Sequence, residues 1–245
     1  MMSLKTPDKI RNLQRKLYLK AKPDYRFYLL YDKIYRDDIL HHAYDLMRTN
    51  NGAPGVDGMT FEKIEEDGVE EWLAGIRKNL AEKTYRPAPV RRVMIPKPGR
   101  QRRATARNSV RDRTVQAAAK LVLEPIFEAD LDPSAFGYRP KRDGHDAIKR
   151  SPYAYLPRLH GRCRRRSVQY FDTITHCELM PSVARRIVGR NVLRLIKMWL
   201  KTPIEERGDD GQRRMSSGRR TTCGTPQGGV FSPTLANVYM NRFLK

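Results

Sequence analysis

Apolar residues recur at helical spacing in several stretches of this chain, and clusters of proline and glycine separate one stretch from the next. Residues 3–47 read as two helices. Thr6-Pro7-Asp8 is a start signal, and Ile10, Leu13 and Leu17 follow it. Lys22-Pro23-Asp24 breaks the pattern, and a second helix then carries Tyr28, Leu29, Tyr35, Ile39, Leu40 and Leu46. The spacing predicts further helices over 60–80, with Thr60 as N-cap, over 111–127 and over 179–200. Val90, Val93, Met94 and Ile95, bounded by Pro89 and Pro96, suggest short strands. Residues 50–58 are a loop by composition, and residues 206–220 a polar hairpin or loop. Residues 151–166 mix Pro, Tyr, Arg and His without periodicity. Order returns at Tyr170-Phe171-Asp172, and the chain stops at Lys245 within what reads as a helix. Helices together with short strands make the fold class α/β. No internal repeat is present.

Charge narrows the partner. Lys and Arg number 49 against 27 Asp and Glu, a net charge of +22 over 245 residues. A field that large attracts polyanions, of which nucleic acid is the commonest. Lys9, Arg11, Arg15, Lys16 and Lys20 on the first helix form either a solvated face or one lying on a phosphate backbone. Cys163, Cys177 and Cys223 are odd in number and form no CxxC pair. This argues against a disulfide framework or structural zinc and points to a reducing, cytoplasmic setting. No stretch approaches the ~20 apolar residues of a membrane span, and the first residues lack the apolar core of a secretory signal.

Several motifs occur in a telling order. They are Gly52-Ala53-Pro54-Gly55-Val56-Asp57-Gly58, Tyr85-Arg86-Pro87 and Arg92-Val93-Met94-Ile95-Pro96-Lys97. Val110-Arg111-Asp112-Arg113-Thr114-Val115-Gln116, Leu123-Glu124-Pro125-Ile126-Phe127-Glu128 and Phe136-Gly137-Tyr138-Arg139-Pro140 follow. Then come Tyr170-Phe171-Asp172-Thr173-Ile174 with His176, and Gly224-Thr225-Pro226-Gln227-Gly228-Gly229-Val230-Phe231-Ser232-Pro233. In order and spacing the chain resembles bacterial group II intron reverse transcriptases, which are also maturases. The resemblance implies right-hand polymerase fingers and an incomplete palm behind a helical N-terminal extension. Its expected boundaries are 1–48 for the extension, 49–150 for the fingers and 151–245 for the partial palm.

The resemblance also assigns roles. Lys97 and Arg103 fall on basic fingers over the incoming triphosphate or template. Phe171 matches the aromatic that stacks under the deoxyribose. Gln227 is positioned to hydrogen-bond substrate or template, and Gly228 and Gly229, lacking Cβ, let backbone approach a nucleotide closely. Asp172 is not a metal ligand in the family, and His176 reads as structural. The partners implied are group II intron RNA and, during polymerisation, DNA, with no membrane.

The carboxylates are the exception. Phosphoryl transfer in the family uses two Mg²⁺ ions held by carboxylates. The first lies five residues before the aromatic, where this chain has Arg166. The others lie in a Tyr-x-Asp-Asp motif beyond the point where the chain ends, so the palm is expected to be truncated. The expectation is therefore no catalytic or metal-binding residue and no bound Mg²⁺. Codons offer a reason. Arginine CGN codons read one base later give Ala, Asp, Gly, Glu or Val, and for a suitable choice of codons Cys163 to Val168 read so can give the family's Val-Asp-Ala-Asp-Leu-Ser in register with Phe171. The window 103–109 also departs from the family. Three functions follow: an inactive fragment of an RNA-directed DNA polymerase, a non-catalytic intron-RNA-binding module that assists splicing, or a remnant without function.

Overall fold

A computed structural model describes residues 4–22, 24–96, 102–140, 142–150, 170–207, 212–216, 218, 220–226 and 228–244. Helix α1 (Asp8–Ala21) buries Ile10, Leu17 and Ala21 and turns its charged residues outward. The second helix expected from the sequence is broken. Tyr28 and Leu29 are exposed and precede α2 (Tyr31–Ile34), while Arg36 is extended and α3 (Asp37–Asn50) starts afresh. Asp37 and Asp38 account for the restart, because carboxylates favour a helix N-terminus. Asn51 closes α3 in the left-handed conformation and opens the expected loop.

The helix expected over 60–80 is also two. Thr60 caps α4 (Phe61–Asp67), its hydroxyl accepting from the Lys63 amide at 3.3 Å. Gly68 then takes φ +101°, and α5 (Val69–Ala81) follows. Strand β1 (Val90–Pro96) is one continuous strand where short pieces were expected, and β2 (Arg102–Arg107) pairs with it antiparallel.

Helix α6 (Val110–Glu128) is the central element. It buries residues on every side and packs against α1, α2, α3 and α11 (Ser232–Met240). Pro125 inside it has no N–H, which leaves the Leu121 carbonyl without its helical donor. The side-chain amide of Gln14 on α1 donates to that carbonyl at 3.0 Å, so the defect becomes an interhelical bond.

Helix α7 (Gly144–Arg150) is short, as is α8 (Tyr170–Thr173). The apolar stripe over 179–200 divides into α9 (His176–Ala184) and α10 (Arg190–Leu200). Between them Ile187 bridges to Phe27, and a Cβ at Gly189 would lie 2.6 Å from the Tyr28 carbonyl oxygen. Chain from the N-terminal region thus enters where the stripe alone suggests unbroken helix. The expected hairpin forms as β3 (Ile204–Arg207) and β4 (Arg213–Ser216). The sheet has the order β2-β1-β3-β4, with β1 and β3 parallel at Val90–Ile204 and Arg91–Glu205. The expected terminal helix ends at Met240. One apolar cluster runs from Ile10 to Val238 and joins helices from both ends of the chain.

Candidate nucleotide and template site

Backbone hydrogen bonds lace the Phe171 segment to the one that ends in Gly228-Gly229. The Thr225 amide donates to the Phe171 carbonyl, the Gly224 amide to the Ile174 carbonyl and the His176 amide to the Thr222 carbonyl, each at 2.8 Å. The His176 ring Nε2 lies 2.7 Å from the Gly224 carbonyl oxygen, which ties the ring to the same segment. Phe171 and the glycine segment, more than fifty residues apart in sequence, therefore share one surface.

Phe171 is half-buried, with Tyr170 edge-on at 5.8 Å and Tyr138 edge-on at 6.1 Å between ring centroids. Burial and the neighbouring Tyr239 push the Tyr170 hydroxyl up to about 12, and it donates to the Ala236 carbonyl at 2.8 Å. Tyr138 is 65% exposed and sits at φ +54°, an uncommon conformation for a bulky side chain. Its neighbour Arg139 holds that shape. The buried guanidinium donates to the Glu128 carboxylate at 2.6 to 3.1 Å and to the Asp132 and Ala135 carbonyls at 2.7 and 2.8 Å. Tyr138 had a place in the motif but not among the expected site residues. The signal for it was its aromatic ring beside Gly137.

At each glycine, protein occupies the place that a Cβ would take. Gly228 has φ +105°, and a Cβ there would lie 2.5 Å from the Ala106 carbonyl oxygen on β2. A Cβ on Gly229 would meet the Ser232 hydroxyl at 2.7 Å. The Val230 amide donates to the Gln116 side-chain carbonyl of α6 at 3.0 Å, and the Ser232 hydroxyl donates to the Pro226 carbonyl at 2.8 Å. Close packing against β2 and α6 is thus a sufficient physical reason for both glycines. Arg103 pairs with Ile95 in the β1–β2 register, two residues before Thr105, whose methyl would lie 3.2 Å from a Cβ on Gly228. Its side chain lies outside the described residues, as do Lys97, Arg166 and Gln227.

Two other motifs meet behind this surface. Asp112 is buried and accepts from the Tyr85 hydroxyl at 2.6 Å and the Ala88 amide at 2.8 Å. Burial raises its pKa, and burial followed by the Asp112 charge pushes the Tyr85 hydroxyl well above its ordinary value. Gly55 packs onto the start of α6, where a Cβ would lie 2.7 Å from the Ser109 amide nitrogen. The Ser109 hydroxyl in turn accepts from the Asp112 amide at 3.1 Å and caps the helix.

Residues 95–245 match the family of reverse transcriptases (RNA-dependent DNA polymerases). The chain belongs to that family. It is 33% identical over 244 residues to the protein YkfC of Escherichia coli strain K12, an alignment covering 96% of this chain and 61% of YkfC. It is 30% identical over 226 residues to the group II intron-encoded protein LtrA of Lactococcus lactis subsp. cremoris, covering 89% of this chain and 35% of LtrA. The chain therefore spans under two thirds of either relative. A partial Cas6-RT-Cas1–Cas2 complex shares the fold, with TM-score 0.58 and 21% identity over 87% of this chain and 34% of that one.

Reverse transcriptases as a family use Mg²⁺. Arg166 stands where the first carboxylate is expected, and a guanidinium repels a cation. Among the described residues no group of three or more His, Cys, Asp or Glu side chains is arranged to hold a metal ion. Also among the described residues, no helix is long and apolar enough to cross a membrane.

Proposed function

We propose that this chain is the fingers and part of the palm of a group II intron reverse transcriptase, that it holds RNA, and that it does not polymerise DNA on its own. On this reading residues 1–48 form the helical extension, 49–150 the fingers and 151–245 the partial palm. Similarity to LtrA supports the intron connection, and the net charge of +22 supports RNA as the partner. The observation that carries inactivity is Arg166. Two-metal catalysis clamps both the attacking and the leaving oxygen between carboxylate-held ions, and an arginine in the first ligand position replaces a donor with a charge of the wrong sign. What remains suited to a nucleotide is the aromatic pair Phe171 and Tyr138 beside the Gly224-to-Gly229 segment. Exposed Cys177 and Cys223 suit a reducing compartment such as the cytoplasm.

The test is primer extension by the purified chain on an RNA template with Mg²⁺ and deoxynucleotides. No extended product is expected. Extension that depends on Mg²⁺ would refute the assignment of inactivity and would require a carboxylate set elsewhere in the chain.

A further inference from the structure

Helix α10 has two unlike faces. Val192, Leu195, Ile196, Trp199 and Leu200 are buried in the core. Arg190, Arg194 and Lys197, with Lys201 just beyond the helix, are exposed at positions i, i+4, i+7 and i+11. They form one row about 16 Å long, with roughly one cation per helical turn. Beside the row lies a groove of about 730 Å³. Arg86 adds a fifth cation to it, while Pro87, Leu193, Met198 and Pro203 give it apolar walls. The Arg86 guanidinium is anchored by donating to the Tyr85 carbonyl at 2.9 Å. Among the described residues no carboxylate lines the groove, and no ion pair engages the four cations of the row. The groove shares no residue with the Phe171–Tyr138 surface.

From this geometry we infer that the α10 groove is a second RNA-binding site, which takes the phosphodiester backbone of a single-stranded RNA segment independently of sequence. An unneutralised cation row is matched by a regular row of phosphates. The apolar walls suit ribose and base faces that a single strand leaves uncovered. A membrane surface fits less well. Basic amphipathic helices bind lipid by inserting their apolar face, and here that face is already in the protein core. The choice of RNA over DNA rests on the function proposed above.

The experiment measures binding of a short labelled single-stranded RNA to the full chain by fluorescence anisotropy across a salt series. It compares the native chain with the variant Arg194→Ala/Lys197→Ala/Lys201→Ala. Each lost phosphate contact lowers the salt slope by about 0.7. Three lost contacts lower it by about 2 and weaken binding about 100-fold at roughly 0.1 M salt. All three side chains are exposed, so the melting curve is expected to be unchanged. If the variant nevertheless melts early, Lys197→Glu and Lys201→Glu singly are read the same way, and Lys197→Arg/Lys201→Arg is expected to retain binding. A native chain that binds RNA while the variant keeps its affinity and slope would overturn the groove but leave the proposed function standing. A native chain that binds no RNA even at low salt would overturn both. Equal binding of DNA of the same sequence, equally weakened in the variant, or stronger binding to phosphatidylserine vesicles than to RNA, would overturn the assignment to RNA.

Discussion

Replacing Asp112 with alanine removes the acceptor from the buried Tyr85 hydroxyl and the half-buried Ala88 amide. A buried donor left without a partner costs about 1–3 kcal/mol. Part of this is offset, because the carboxylate itself resists burial, as its raised pKa records. The net loss is about 2–4 kcal/mol, which for a chain of this size lowers the melting temperature by roughly 5–15 °C. Asp112→Asn is expected to cost about half as much. Its carbonyl still serves the Ala88 amide, while its NH₂ turns toward a Tyr85 hydroxyl that rotates to accept. Tyr85→Phe supplies the third corner of a cycle, and in the Asp112→Ala background it should cost less than alone, since the hydroxyl has already lost its acceptor. Thermal and denaturant melts of the four proteins provide the readout. An Asp112→Ala protein melting within about 2 °C of the native chain, or additive losses in the double variant, would refute the view that this carboxylate bolts Tyr85 and Ala88 to α6.

Gly228→Ala places a Cβ against the Ala106 carbonyl at φ +105°, and strain and overlap together amount to about 2–4 kcal/mol. The Val230 amide, bonded to Gln116, should then exchange with solvent roughly 30- to 1000-fold faster; unchanged exchange would contradict the account given for this glycine. His42 is 3% exposed with its Nε2 unpaired, and burial lowers its pKa. The unfolded chain therefore binds the proton first as pH falls, so stability is present above about pH 6.5 and declines below it. Compared with His42→Gln, the native chain should lose more stability between neutral pH and pH 5, and parallel stability curves for the two would refute the burial argument.

Helix caps and the strand run were legible in the sequence because they depend on neighbouring residues. Thr60 and the residues from Val90 to Ile95 behave as local chemistry dictates. The breaks at Arg36, Gly68 and Gly189 are not legible in the sequence, because the apolar stripe keeps its phase across each of them. Gly189 shows why most plainly. What demands glycine there is the Tyr28 carbonyl, which comes from the other end of the chain. The candidate site follows the same rule. Bringing Phe171 beside the Gly224-to-Gly229 segment was expected only through family resemblance, since the bonds that join them span some fifty residues. The resemblance implies the approach of a nucleotide at Gly228, whereas the neighbour described there is a backbone oxygen of β2. The row on α10 is less conspicuous in the sequence than the apolar stripe of that helix, although its basic residues repeat at the same helical interval.

The parallel pairing of β1 with β3 also sets a schedule during synthesis. The two strands are more than a hundred residues apart, so β1 and β2 leave the ribosome long before β3 exists. At elongation rates of about 5–20 residues per second the open edge of β1 waits roughly 5–20 s for its partner. An unpaired edge is a template for association with other chains. Pro89 and Pro96, at the ends of the strand, and the charges of Arg91 and Arg92 within it are the features that discourage such pairing during that interval.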